Sequence, residues 1–412
     1  MATDKQAYLL AQAKVKSSAS YNGGWHHWSS SSMRGWRAQM EDAFVALSDL
    51  RCGTPEEKGL FAVFDGHGGK EVALFCERHF PEQVKALLDE GLSPEEMFVR
   101  AFNAMDDMLK LPESEKELQC LRTRSSSFSD SDRSGSRHSR DFSSPVKSYV
   151  DRRSRRRDDG QHAAYRVGST GNAILLTGDS VVCANAGDSK AVLCRAGVPV
   201  ELSFEHKPSL PEERRRIEEA GAHLVEPAVN DNIYTSEPRI NGSLNLSRSF
   251  GDFKYKGRPE LPRDRQAVIC TPGIKSVTLS PEDEFIVLAC DGIWEVKSSS
   301  EVCEFIRKRL PYLDLEEIVE ELLDDCLAQN ASSYIGCDNM TCIIVSLSPK
   351  IEKRPSSWGM KLGSSASRLA SRSNSFKDGL RFDLRSRLVS PMKPLLSSGP
   401  GRALSKHMRL RI

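Results

Sequence analysis

Phe61-Ala62-Val63-Phe64-Asp65-Gly66-His67-Gly68-Gly69 and Phe285-Ile286-Val287-Leu288-Ala289-Cys290-Asp291-Gly292 share one design. Each is a short strand-like run, apolar on both faces, that passes directly into Asp-Gly. A carboxylate just beyond a buried strand is held rigidly, and the glycine after it lets the backbone come close to a ligand. Two further acidic groups stand at the other ends of strand-like runs: Glu41-Asp42 before Ala43-Phe44-Val45-Ala46-Leu47, and Asp338-Asn339 before 340–347. In an antiparallel sheet the start of one strand lies beside the end of its neighbour, so these acids can converge at one edge. Asp188, in the turn Gly187-Asp188-Ser189, can join them.

Taken singly, each acid reads as a turn residue, because Asp-Gly is a common turn dipeptide. Taken together they call for a cation, since four or five converging carboxylates repel one another unless positive charge sits among them. Oxygen donors without thiolate or a histidine set favour Mg²⁺ or Mn²⁺ over Zn²⁺. His26 and His27, between Trp25 and Trp28, lack an acidic or thiol neighbour and make a weak ligand set.

The surrounding chain is that of a soluble globular protein. Of 412 residues, 39% are hydrophobic and 28% charged, and the net charge is +1. That balance conceals an asymmetry. Residues 121–157 hold 11 Lys/Arg against 4 Asp/Glu, and 351–412 hold 14 against 3, which leaves 33 basic and 50 acidic residues elsewhere. An acidic body therefore carries two basic, serine-rich appendages. The expected organisation is a polar N-terminal segment over 1–30 and a globular α+β domain over 31–348. A disordered basic insertion at 121–158 would interrupt that domain, and a disordered basic tail would follow over 349–412.

Within the globular part, strands are expected at 173–177, 181–186, 190–195, 284–290 and 340–347, with Gly187-Asp188-Ser189 closing a hairpin. Helices are expected at 92–110, 211–221 and 314–328. In the last, Leu315, Ile318, Val319, Leu322, Leu323, Cys326 and Leu327 make a core stripe. No apolar run approaches the roughly 20 residues that cross a bilayer. The start Met1-Ala2-Thr3-Asp4 fits neither a secretory signal nor a myristoylation site. Cytoplasmic and nuclear locations and a monomer are expected, with no membrane partner. The 11 cysteines include no Cys-x-x-Cys pair and read as reduced thiols, several of them small buried hydrophobes.

An ordered series of motifs now resembles the type-2C, metal-dependent (PPM) family of serine/threonine protein phosphatases. It runs through Ser32-Met33-Arg34-Gly35-Trp36-Arg37-Ala38-Gln39-Met40-Glu41-Asp42, Phe64-Asp65-Gly66-His67-Gly68-Gly69, Gly168-Ser169-Thr170 and Asn185-Ala186-Gly187-Asp188-Ser189. It continues with His206-Lys207-Pro208, Asn241-Gly242-Ser243-Leu244, Ser247-Arg248-Ser249-Phe250-Gly251-Asp252, Leu288-Ala289-Cys290-Asp291-Gly292-Ile293-Trp294 and Asp338-Asn339-Met340-Thr341. The resemblance spans roughly 33–348 apart from the insertion and implies a four-layer α/β/β/α sandwich, two antiparallel sheets with helices outside.

It also implies roles. Asp65 would bridge two Mg²⁺ or Mn²⁺ ions, with Glu41 and the Gly66 carbonyl completing one site and Asp291 and Asp338 the other. Asp42 would hold metal-bound water. Arg37 would grip the substrate phosphate, and His67 would protonate the leaving alkoxide. Water bridging the two ions would attack phosphoserine or phosphothreonine in proteins directly, with no phosphoenzyme. A weaker third ion would use Asp188, Asp291 and Glu295, where the family usually carries aspartate in place of Glu295. Residues 222–240 correspond to the variable flap beside the cleft and fit the family pattern poorly.

Ser144-Pro145-Val146-Lys147 and Ser390-Pro391-Met392-Lys393 have the spacing of sites for a proline-directed kinase, making Ser144 and Ser390 candidate phosphosites. Arg152-Arg153-Ser154-Arg155-Arg156-Arg157 reads equally as a nuclear-import signal or as solvated charge. Two other functions compete with this reading. One is a non-catalytic scaffold binding RNA or acidic partners through the basic segments, for which a full catalytic ligand set would have no use; nucleic acid is therefore not the expected partner. The other is hydrolysis of small phosphate esters instead of phosphoproteins.

Overall fold

The computed structural model describes residues 9–23, 26–53, 57–123, 162–226, 237–333 and 335–347. Residues 124–158 of the basic insertion, the basic tail, Ser144, Ser390, the arginine run at 152–157 and most of the flap lie outside them.

The doubly apolar runs become central strands because each buries one face against helices and the other against a second sheet. In β4 (Gly59–Phe64), Leu60, Ala62 and Phe64 face the helical layer, while Phe61 and Val63 face inward between the sheets. In β10 (Asp283–Ala289), Phe285, Val287 and Ala289 face helices, and Ile286 and Leu288 face inward. This alternation with period two, apolar on both sides, is what a covered sheet requires.

The remaining strands of the two large sheets are β1 (Lys16–Gly23), β2 (His26–Met33), β3 (Ala43–Leu47), β5 (Gly171–Leu176), β6 (Ser180–Ala186), β7 (Lys190–Arg195), β8 (Val198–Glu201), β9 (Gly273–Thr278) and β11 (Met340–Ser346). They form a six-stranded sheet ordered β1-β2-β11-β10-β7-β8 and a five-stranded sheet ordered β9-β6-β5-β4-β3, with antiparallel pairing throughout.

Helices α1 (Glu71–Asp89), α2 (Pro94–Leu109) and α3 (Pro112–Thr123) cover the five-stranded sheet, burying among others Phe75, Phe80, Phe98, Phe102 and Leu118. On the six-stranded sheet lie α6 (Ser299–Arg309) and α7 (Leu315–Cys326), reached through the short α5 (Asp291–Trp294). The stripe predicted on α7 is buried as expected, and capping boxes at Ser298/Glu301 and Asp314/Glu317 start α6 and α7. The result is the four-layer α/β/β/α sandwich. A satellite core of Ile217, Ile240, Leu244, Tyr255 and Val268 lies beside α4 (Pro211–Glu219). It is pinned by Glu213, which accepts from both Arg216 and Arg248.

Three expectations need correction. First, β6 and β7 do not form a hairpin: β6 lies between β5 and β9, and β7 lies between β10 and β8 in the other sheet. Both strands have covered faces and each finds two neighbours only by parting, so Gly187-Asp188-Ser189 crosses between the sheets. Second, residues 16–33 belong to the six-stranded sheet, not to a polar leader. The serine run 29–32 carries no apolar signal, yet serine side chains are short enough to bury between two paired strands. There Ser18 and Ser31 hydroxyls meet at 3.0 Å and Ser30 Oγ donates to Ala19 O. His26 is buried edge-on to Phe61, and burial lowers its pKa to about 4, with His27 adding to the effect. Third, α3 runs on to Thr123, into the stretch expected as insertion, and its Leu121 packs in the core between the five-stranded sheet and its helices.

Candidate active site

The two sheets present the same corner twice. In one, Ala43 pairs with Phe64, so Asp42 and Asp65 emerge side by side. In the other, Ala289 pairs with Cys342, so Asp291 emerges beside the Asp338–Thr341 segment. Both corners open at one edge of the sandwich, and Thr341 Oγ1 joins them by donating to Asp42 Oδ2 at 2.7 Å. The glycines permit this crowding. A Cβ on Gly66 would stand 2.2 Å from the Glu41 carbonyl oxygen, and one on Gly292 would stand 2.0 Å from that of Asn339. Asn339 fastens the approach from the other side: its Oδ1 accepts from Glu41 N at 2.8 Å, and its Nδ2 donates to Arg34 O and Gln39 O.

Asp65, Asp188 and Asp291 each offer a carboxylate oxygen, and the three atoms lie within 4.8 Å of one another. Thr170 sets two of them: its N–H donates to Asp65 O at 2.8 Å, and its hydroxyl shares hydrogen bonds with Asp65 N and Ser189 Oγ. Glu41 and Asp338 stand outside this trio. Asp338 is ion-paired with Arg37, whose side chain is 61% exposed at the mouth of the cleft. Burial works against the Arg37 charge, but the Asp338, Asp291 and Asp65 carboxylates outweigh it and raise its pKa.

Crowding is visible in the acids. Burial, reinforced by the neighbouring carboxylates, pushes Asp65 and Asp291 well above the usual carboxylate range. Burial raises Asp42 to about 7, against the Thr341 hydrogen bond, and Asp42 Oδ1 has no hydrogen-bond partner. Buried, mutually repelling oxygens with unspent lone pairs fit divalent cations of the Mg²⁺ or Mn²⁺ type. Glu295 is exposed at the end of α5, and Asp188 is engaged by Lys207 Nζ at 2.6 Å. The three residues expected around a third ion thus already hold an internal ammonium nearby.

His67 Nε2 is 2.6 Å from Asp252 Oδ2. Burial disfavours the imidazolium, yet the Asp252 carboxylate prevails and raises the His67 pKa. Asp252 also accepts from Ser249 Oγ at 2.6 Å, and its loop is tied to α2 by Asp106, which takes Gly251 N and Lys256 Nζ. Sequence reading assigned no role to Asp252, Thr170, Lys207 or Asn339. All four sit inside the motif series quoted above, which was the one signal available; their partners are remote in sequence.

A profile of the family described as Protein phosphatase 2C matches residues 26–127 and 120–335. A probable protein phosphatase 2C 4 of Paramecium tetraurelia is 34% identical over 352 residues, covering 83% of this chain and 99% of its own. The probable protein phosphatase 2C 21 of Arabidopsis thaliana is 37% identical, covering 76% of this chain and 85% of its own. Among solved structures, a phosphatase of Toxoplasma gondii aligns with a TM-score of 0.56 at 22% identity, over 80% of this chain and 95% of that one, and supports the fold. With its acids gathered where two antiparallel sheets meet, and with relatives matched along almost their whole length, the chain belongs to the protein phosphatase 2C family of serine/threonine phosphatases.

Proposed function

We propose that this phosphatase removes phosphate from serine and threonine side chains of proteins by direct attack of water, without a phosphoenzyme, at a site for two Mg²⁺ or Mn²⁺ ions. The observation that carries the reading is the gathering of Asp65, Asp188 and Asp291 oxygens within 4.8 Å at the joined corners of the sheets. Asp65 would be the bridging ligand, Glu41 and the Gly66 carbonyl would serve one ion, and Asp291 and Asp338 the other. When bound, the ions supply an activated water and offset the phosphoryl charge.

The protein's own groups do the rest. Arg37, exposed and swung onto Asp338, is placed to exchange that carboxylate for two phosphate oxygens with its planar guanidinium. Asp42, fixed by Thr341, orients water through its free Oδ1. His67, whose imidazolium is favoured by Asp252 at Nε2, has Nδ1 free of any hydrogen bond and would deliver the Nδ1 proton to the departing alkoxide. A third ion at Asp188, Asp291 and Glu295 would bind weakly, because Lys207 already answers part of the negative charge there.

The test is hydrolysis of a phosphothreonine peptide by the purified chain with Mn²⁺, in parallel with Asp65→Asn and with chelator. A fall of at least about 100-fold in kcat/KM is expected in both, since an ion at the phosphoryl group contributes several kcal/mol. Undiminished turnover in either sample would overturn the mechanism.

A further inference from the structure

Ser299, Cys303 and Arg307 recur every four residues along α6 and so share one face of it. The two outer members fasten that face to the six-stranded sheet. Ser299 Oγ donates to Glu201 Oε1 of β8 at 2.6 Å, and Arg307 Nε donates to Glu284 Oε2 of β10 at 2.8 Å. The Arg307 guanidinium also lies over the turn after β7, where a Cβ on Gly197 would stand 2.3 Å from it. Cys303, midway between these ties, is buried in the core beneath α6. In the sheet, β7 lies between β10 and β8, and its Cys194 pairs with Phe285 of the one and Pro199 of the other. Cys194 is buried in the same core. The two thiols therefore meet across the helix–sheet interface, and the Cys303 S–H donates to the Cys194 sulfur.

The two sulfurs are not equivalent. The hydrogen bond from Cys303, the strongest influence, lowers the Cys194 pKa against burial and Glu284, and the Gly197 N–H and the Arg307 guanidinium act with it. The same hydrogen bond, together with burial, raises Cys303. A sulfur biased toward thiolate beside a protonated partner suits one thiol to attack and the other to resolve. Access comes from the margin of the sheet. β8 is its edge strand, of four residues, and the turn leading into it holds Ala196 and Gly197 at φ of 48° and 81°. A short edge strand opens at lower cost than the central strands.

We propose that Cys194 and Cys303 form a modification site, a thiol pair that hydrogen peroxide closes into a disulfide stapling α6 to β7. The Cys194 sulfur attacks one peroxide oxygen, the O–O bond breaks, and a sulfenic acid forms as water leaves with the thiol proton. The Cys303 sulfur then attacks the sulfenyl sulfur. An S–S bond forms, the S–O bond breaks, and a second water carries away the Cys303 proton. Two thiols together lose two electrons, and one peroxide gains them. The site stands apart from the carboxylates. β7 begins at Lys190, two residues after Asp188, and four residues at about 3.3 Å each set Cys194 about 13 Å from that end of the strand. The bond joins elements already in contact and closes a loop of about 110 residues, so it acts on stability and leaves hydrolysis as it was. It does not depend on the mechanism proposed for hydrolysis.

The full chain, treated with hydrogen peroxide, alkylated and digested without reductant, should yield a peptide pair joined through Cys194 and Cys303 and parted by dithiothreitol. Recovery of both thiols alkylated, or their capture in disulfides with other cysteines such as the exposed Cys120, would overturn the site. This readout uses the unaltered chain and decides the question even if a variant at either position fails to fold. The order of attack is read by dimedone, which traps sulfenic acids. Cys303→Ala should leave Cys194 labelled, and Cys194→Ala should leave Cys303 unlabelled; the reverse pattern would overturn the assignment of the attacking sulfur. The effect is read in a chain carrying Cys120→Ser and Cys337→Ser, which removes the thiols that are not buried. Its oxidised form should melt at least about 5 °C above its reduced form, with the same kcat/KM on a phosphopeptide. Equal melting temperatures would overturn the staple, and turnover lost on oxidation and regained with dithiothreitol would overturn its separation from the cleft.

Discussion

Single residues in this site act mainly through the charge they face. Burial would lower the His67 pKa, yet the carboxylate of Asp252, a residue 185 positions away, raises it. Replacing His67 by Ala is expected to lower kcat by about 10²–10⁴-fold on a phosphopeptide with a serine leaving group, the usual worth of a positioned acid. Asp252→Asn should reproduce part of that loss, and an unchanged kcat in both would refute the acid. Lys207 acts in the opposite sense. Its ammonium, 2.6 Å from Asp188, stands where a further cation would be drawn. A unit charge at about 4 Å is worth on the order of 4 kcal/mol at an effective dielectric constant near 20. Lys207→Gln should therefore tighten the weakest Mn²⁺ site at least tenfold by that estimate, read by Mn²⁺ electron paramagnetic resonance. No change in affinity would mean that Lys207 does not compete.

Among the elements, two kinds of burial separate stability from chemistry. The α7 stripe is pure core: Leu322 is fully buried against the six-stranded sheet and far from the carboxylates in role. Leu322→Ala should destabilise by about 2–5 kcal/mol, seen in urea melts, with kcat/KM of the folded fraction unaltered. The strand ends carry the site instead. Gly66→Ala would drive a methyl to 2.2 Å from the Glu41 carbonyl, so β4 and the chain before β3 must part. A modest stability loss of about 1–3 kcal/mol should accompany a disproportionate loss of Mn²⁺ affinity in calorimetric titration. Equal affinity in Gly66→Ala would show that the close approach is dispensable. A further element contact, the edge strand β1 against α7, is made by side chains two apart on the strand and four apart on the helix. Lys16 meets Asp324, Ser18 meets Glu320 and Ser20 meets Glu316.

Across the whole molecule, these acids and bases make stability depend on pH and on divalent ions together. Burial would raise Glu213, but Arg248 and Arg216 hold it at about 2 against an ordinary 4.5, so its contribution is present above 4.5 and lost as pH falls through about 2. Asp42 has the opposite sign. Raised by burial from 3.8 to about 7, it is most compatible with the fold below 3.8, and that stability is lost as pH rises through about 7. Asp65 and Asp291 shift the same way. In chelator the melting temperature should therefore fall as pH rises from about 4 to 7, following those carboxylates. Saturating Mg²⁺ or Mn²⁺ should remove most of that slope, because bound cations favour the ionised acids. A slope identical with and without ions would argue against a cation among these groups.

Much of this was legible in the chain because it is local. Period-two alternation in 60–64 and 285–290, the 3-4 stripe of α7 and the Asp-Gly endings depend on neighbours in sequence, and they located these two strands, the core helix and the strand ends from which Asp65 and Asp291 emerge. The motif series carried the sandwich with them. What stayed hidden depends on contacts between remote segments. Serines 29–32 look like a polar leader until β1 and β11 pair on either side of them. Gly187-Asp188-Ser189 looks like a hairpin until β6 and β7 find partners in different sheets, which carries Asp188 into the cleft. The pairing of Asp252 with His67 and of Lys207 with Asp188 has no sequence signature, because electrostatic reach extends a few ångströms through space and takes no account of distance along the chain.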